Sequence, residues 1–134
     1  MEQFYYAKDE SGLSREEIRA ALQASLEGRA VKKALIIPPD FTRFHSQAGL
    51  ITNIYYHLLT NADCQVDIMP ALGTHEPVSR EQWPVMFGDV PYENMIVHDW
   101  RRDVVKIGEV PAGYLEEITE DLWHEPVSVE VNRR

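Results

Sequence analysis

The sequence predicts an α/β domain built on a mainly parallel, Rossmann-like sheet flanked by helices. Two observations predict it. Segments of helical periodicity alternate with short apolar runs in the order helix, strand, helix, strand, helix, strand. The first run, Lys33-Ala-Leu-Ile-Ile-Pro38, has no polar alternation, as expected of a strand buried on both faces of a parallel sheet. With 134 residues and no internal repeat, low-complexity stretch or linker, a single domain over 1–134 is expected. A chain of that length buries roughly two-thirds of its unfolded surface.

The first helix is expected over 14–27. Ser14 and Glu17 form a capping box, Leu13 and Ile18 are spaced as a hydrophobic staple, and Gly28 supplies the stop. Ile18, Ala21, Leu22, Ser25 and Leu26 fall on its inner face. After the strand at 33–38, a helix over 46–61 carries Leu50, Ile51, Ile54, Leu58 and Leu59 along one stripe. A second strand spans 64–70. Ser79 and Gln82 repeat the capping pattern and open a helix towards Phe87, shortened or kinked by Pro84. Residues 95–98 and 104–107 are further strand candidates, and 114–123 weakly favours a helix. Val127, Val129 and Val131 alternate with polar residues, which suits a strand half open to solvent.

A net charge of -9, from 22 acidic and 13 basic residues, opposes phosphate backbones and anionic headgroups, so neither nucleic acid nor a membrane surface is an expected partner. An anionic ligand would need local positive charge. The one cysteine, Cys64, excludes an intrachain disulfide framework and reads as a buried, inert thiol in a reducing compartment. The start of the chain lacks the basic and apolar regions of a signal peptide, and no apolar run approaches the roughly 20 residues of a membrane helix. A cytoplasmic location is expected.

Ligands of open α/β sheets bind beyond the carboxyl ends of the strands. Two polar segments stand there: Pro38-Pro-Asp40-Phe-Thr42-Arg43-Phe-His45 and Leu72-Gly73-Thr74-His75-Glu76-Pro77. If the two strands are neighbours, Asp40, Arg43 and His75 converge. Arg43 offers a planar fork for a carboxylate or phosphate, and His75 can take or return a proton near neutrality. Asp40 is placed to orient either of them, Thr42 and Thr74 add hydroxyls, and Gly73 allows a close backbone approach. Bland roles also fit. Asp40 and Thr42 suit a helix cap, Arg43 a surface pair with Asp40, and His75 a turn bonded to backbone. His57 reads as packing at a helix edge, His124 as solvated, and His98-Asp99 as a strand end that either joins the site or ties down a loop. His45 is undecided. No standard zinc, calcium, P-loop, dinucleotide or serine-hydrolase spacing is present.

Asp40-Phe-Thr42-Arg43 after an apolar strand, then Ala71-Leu-Gly-Thr-His75-Glu-Pro77, then His98-Asp99, resemble the N-terminal domain of the lactate racemase family, in order and spacing over roughly 33–132. The resemblance implies racemisation or epimerisation at the carbinol carbon of a 2-hydroxy acid, by reversible hydride transfer to a nickel-pincer nucleotide. It implies that His75 is one of two proton-transferring histidines and that Arg43 faces the substrate carboxylate, with Asp40 beside them. It places Asp40, Thr42, Gly73, Thr74 and His98 at the cofactor. It also implies that the nickel ligands, the cofactor-tethering lysine and the second histidine lie outside this chain. The chain is then expected to be a truncated, inactive fragment whose partners are the substrate and the remainder of the full-length protein. The competing expectations are a metal-dependent hydrolase or lyase using His45, His75 and His98, and a non-catalytic binding module.

Overall fold

In a computed structural model the chain is described over residues 4–133. Its contacts group into two compact units that divide after Val97, where the sequence alone suggests a single domain.

The first unit begins with α1 (Arg15–Leu26). Its capping box forms as the sequence predicts, Glu17 N donating to Ser14 Oγ at 3.2 Å and Ser14 N to Glu17 Oε2 at 2.8 Å. Past its end Gly28 takes φ +71°, a conformation glycine adopts without strain. Strand β1 (Lys33–Ile36) is followed by a 3-10 segment (Phe41–Ser46) and by α2 (Ala48–Thr60). The single helix expected over 46–61 is thus preceded by a tighter turn, and Gln47 joins the two in a left-handed conformation, φ +62°. Strand β2 (Gln65–Ile68) pairs with β1 in parallel, Lys33 opposite Gln65 and Ile36 opposite Ile68. Helix α3 (Gln82–Phe87) follows. Pro84 is tolerated because it lies in the first turn, where its missing N–H has no intrahelical partner to lose.

The core lies against one face of β1 and β2. Ile68, Val78, Trp83, Met86, Phe87 and Val90 form one cluster, and Leu59, Cys64 and Val66 a second, with Leu26, Val31 and Tyr55 packed around it. Trp83 and Phe87 rings lie 4.5 Å apart, and Trp83 Nε1 donates to Val90 O at 2.7 Å, so the buried indole is satisfied. Cys64 is buried, as a structural thiol would be.

Three expectations are corrected. The strand proposed over 95–98 is a single parallel bridge, Met95 to Ile68, with Ile96 N donating to Ile68 O at 2.8 Å. On one side the Asn94 amide occupies the Val66 carbonyl at 2.7 Å. On the other, Pro70 has no N–H with which to continue a ladder. Second, β1 is not buried on both faces. Ala34 and Ile36 turn towards the core, while Leu35 and Ile37 are 48% and 57% exposed. Third, Ile51 stands on the exposed side of α2 rather than in its inner stripe, which is carried by Ile54 and Leu59.

The second unit pairs β3 (Val104–Val110) with β4 (Val127–Asn132) in antiparallel, across α4 (Ala112–Ile118). The sheet is therefore not mainly parallel: the described strands form one parallel pair and one antiparallel pair. Ile107 falls in an irregularity of register between Lys106 and Gly108. Among the described residues no helix is long and apolar enough to cross a membrane.

Candidate active site at the strand ends

The backbone ladder runs on past both strands. Met69 N donates to Ile36 O at 2.9 Å and Ala71 N to Pro38 O at 2.8 Å, and Pro39 forms a further parallel bridge with Ala71. The two strand-end loops therefore leave the sheet side by side.

Asp40 heads the first loop and is almost wholly buried, 4% exposed. It caps the 3-10 segment: its Oδ1 accepts from Thr42 N at 2.9 Å and from Thr42 Oγ1 at 2.5 Å. Its Oδ2 lies 2.5 Å from His75 Nδ1. Burial pushes its carboxyl up, but hydrogen bonds from the Thr42 hydroxyl, His75 and Thr42 N–H, with the charge of His75, outweigh that and hold it below the ordinary carboxylate value. One oxygen of Asp40 thus caps the 3-10 segment and the other contacts His75.

The second loop turns at once. His75 N donates to Leu72 O at 2.9 Å, closing a turn whose first central residue, Gly73, has φ +57°. That position selects glycine in a type II′ turn. A Cβ there would meet nothing within 4 Å, so Gly73 is required for its backbone angle rather than for a close approach. Thr74 is exposed at the turn's tip. The turn brings the imidazole back over Asp40. An ionised carboxylate can only accept, so Nδ1 carries the proton, and Nε2 of the neutral ring keeps a lone pair on a side chain that is half exposed.

Arg43 is exposed, and its Nη1 lies 3.4 Å from Thr42 Oγ1. It forms no ion pair with Asp40, whose two oxygens are already engaged by Thr42 and His75. Asp40, Thr42, Arg43, Gly73 and His75 line one cleft of about 340 Å³, near the lower bound of about 300 Å³ for small-molecule sites. An imidazole in contact with a buried carboxylate thus shares a cleft with the Arg43 guanidinium, for which no ion pair occurs among the described residues.

His57 Nε2 lies 2.9 Å from Asp89 Oδ1, which also accepts from Asn53 Nδ2 at 2.8 Å. His45 is exposed and packs edge-on against Phe44. His124 lies 3.6 Å from Glu116 and 3.7 Å from Asp121. His98 is the first residue of the second unit. Among the described residues no three His, Cys, Asp or Glu side chains are grouped so as to hold a metal ion. What sequence reasoning missed is the depth of Thr42's part: it clamps Asp40 through both N–H and hydroxyl, and the Asp-x-Thr spacing of an Asx turn is the signal for it.

Fold and site together define an α/β domain with a carboxylate–histidine couple and an exposed arginine at the ends of parallel strands. The family model for the lactate racemase N-terminal domain matches residues 8–124, and the chain belongs to that family. The structure is similar to the crystal structure of a protein from Thermotoga maritima, with a TM-score of 0.72 at 24% identity over 97% of this chain. The match covers 32% of that protein, so this chain spans about a third of its length. No curated protein matches.

Proposed function

We propose that this chain supplies one half of the active site of a 2-hydroxy acid racemase or epimerase, with His75 as a proton-transfer residue and Arg43 as the carboxylate anchor. The observation that carries this reading is the Asp40–His75 contact in one cleft with the exposed Arg43. Arg43 binds the substrate carboxylate through its guanidinium fork. His75 Nε2 accepts the hydroxyl proton at the carbinol carbon and later returns it. Asp40 is a positioning residue: it fixes the ring and balances the positive charge the imidazole gains.

The family resemblance implies a nickel-pincer nucleotide, which supplies reversible hydride acceptance from that carbon when bound. The residues present fit the polar parts of such a group. Thr42 and the Gly73 backbone offer hydrogen-bonding groups along the cleft, whereas the part assigned to Thr74, which does not line it, rests on the resemblance. That the nickel ligands belong to other parts of the whole protein rests on the resemblance. The part assigned to His98 rests on the resemblance alone. The reading of His45, His75 and His98 around a directly bound ion gains no support from the grouping of these side chains. A reducing, cytoplasmic setting is proposed from the single buried Cys64.

The test is isotope exchange at C2 of a panel of 2-hydroxy acids by the full-length, cofactor-loaded protein. His75→Ala is expected to lower kcat by about 10²–10⁴, and Arg43→Lys to raise KM by roughly tenfold or more through loss of bidentate geometry. Exchange that persists undiminished in His75→Ala defeats the proposal.

A further inference from the structure

The Thr42 hydroxyl does more than its place in the turn requires. Residue 42 already caps the 3-10 segment through its backbone, Thr42 N donating to Asp40 Oδ1 at 2.9 Å. Any residue but proline supplies that bond. The side chain adds a second bond to the same oxygen, Oγ1 to Oδ1 at 2.5 Å. Burial works against the charge on Asp40, and the Thr42 hydroxyl leads the hydrogen bonds that offset it. The turn alone does not account for this second bond.

The directions of the bonds say what it adds. A hydroxyl has one proton to donate and two lone pairs. Asp40, held ionised, can only accept, so the Thr42 proton is committed to Oδ1 and the hydroxyl offers other groups its lone pairs. Arg43 Nη1 donates to that same oxygen at 3.4 Å. Catalytic hydrogen bonds are commonly long before substrate binds and tighten afterwards. The backbone of Arg43 is held by the same aspartate, its N donating to Asp40 O at 3.0 Å. There it leaves helical geometry, at φ −104° and ψ 27°, close to the sparsely populated bridge region where many active-site residues sit.

Asp40 thus reaches two groups of the cleft. It contacts His75 directly through Oδ2, and Arg43 through Oδ1 and the Thr42 hydroxyl. A 2-hydroxy acid carries its carboxylate and its hydroxyl on neighbouring carbons. The guanidinium and the imidazole must therefore keep one spacing to engage both at once. An exposed arginine stem left to itself samples many rotamers and keeps none.

We propose that Thr42 is a positioning residue that ties the Arg43 guanidinium to the Asp40–His75 couple and so sets the spacing of carboxylate anchor and proton acceptor. The proposal rests on the roles of His75 and Arg43 given above, but the linkage itself is readable without turnover.

Proton NMR of the full-length protein reads it from the exchange rate of the His75 Nδ1 proton with water. Arg43→Met removes the donor to Thr42 and is expected to speed that exchange by about twofold or more, the lower end of coupling within one hydrogen-bonded network. Thr42→Val keeps the side-chain shape and the backbone cap. It is expected to speed the exchange too, and to leave Arg43→Met without further effect. Thr42→Ser, which keeps the hydroxyl, is expected to match the wild type. An equal effect of Arg43→Met with and without Thr42→Val overturns the proposal, as does a Thr42→Ser protein that behaves like Thr42→Val. In the cofactor-loaded protein Thr42→Val is expected to raise KM and lower kcat together for 2-hydroxy acids, with Thr42→Ser restoring both; unchanged constants in Thr42→Val also overturn it. Coupling found in a protein that exchanges no hydrogen at C2 supports the linkage and defeats the reading of the reaction, so the two fail separately.

Discussion

Asp40 is nearly removed from water yet accepts three hydrogen bonds on two oxygens, and its stability contribution depends on staying ionised. Asp40→Asn is expected to cost about 1–3 kcal/mol at neutral pH, because buried donors lose a charged acceptor. The folded carboxyl titrates below its ordinary value. Its contribution is therefore complete above the unfolded value of about 3.9 and is lost as pH falls through the lower, folded one. Denaturant titrations of both proteins from neutral to acid pH should show the gap closing only at the acid end. A gap that stays constant through that range rules out ionisation of Asp40 as its source. At this scale the site was legible: residue types and strand-end positions marked Asp40, Arg43 and His75. What could not be read was the division of Asp40 between Thr42 and His75, since that depends on which loop the imidazole folds back over.

Among elements, α2 and α3 meet closely at one residue. A Cβ on Gly49 would lie 2.0 Å from Met86 O and 2.9 Å from Met86 C, both backbone atoms that cannot swing aside. Gly49→Ala is expected to push the helices apart and to lower stability by upwards of about 2 kcal/mol, read from the denaturation midpoint. An unchanged midpoint would show that α3 moves freely. Element types follow from local patterns: the capping boxes at Ser14 and Ser79 both form, the second with Ser79 N to Gln82 Oε1 at 3.0 Å. Two features resisted reading for physical reasons. The 3-10 turn over Phe41–Ser46 arises from the Asp40 cap, which sits ahead of the periodic stripe. The stunted strand at Met95 arises from Asn94 and Pro70, neighbours only in space.

At the scale of the whole molecule, the two units differ in how much they bury. The first has two apolar clusters, whereas in the second the valines of β4 are about 40% exposed and Asp103 is the buried residue among those described. A two-stranded pair with one short helix is marginal by itself. Amides of β3 and β4 in this chain should therefore exchange faster than those of α2 and β2, by roughly tenfold or more. Equal protection throughout would contradict that ranking. The parallel pairing that sets Asp40 beside His75 also has a temporal consequence. These residues stand 35 positions apart, and their contact depends on the crossover through α2 that lets β2 lie along β1. No local segment can form it in advance. The ring signals of His75 would then report the moment at which this half of the protein becomes native, so one imidazole could time assembly as well as move protons.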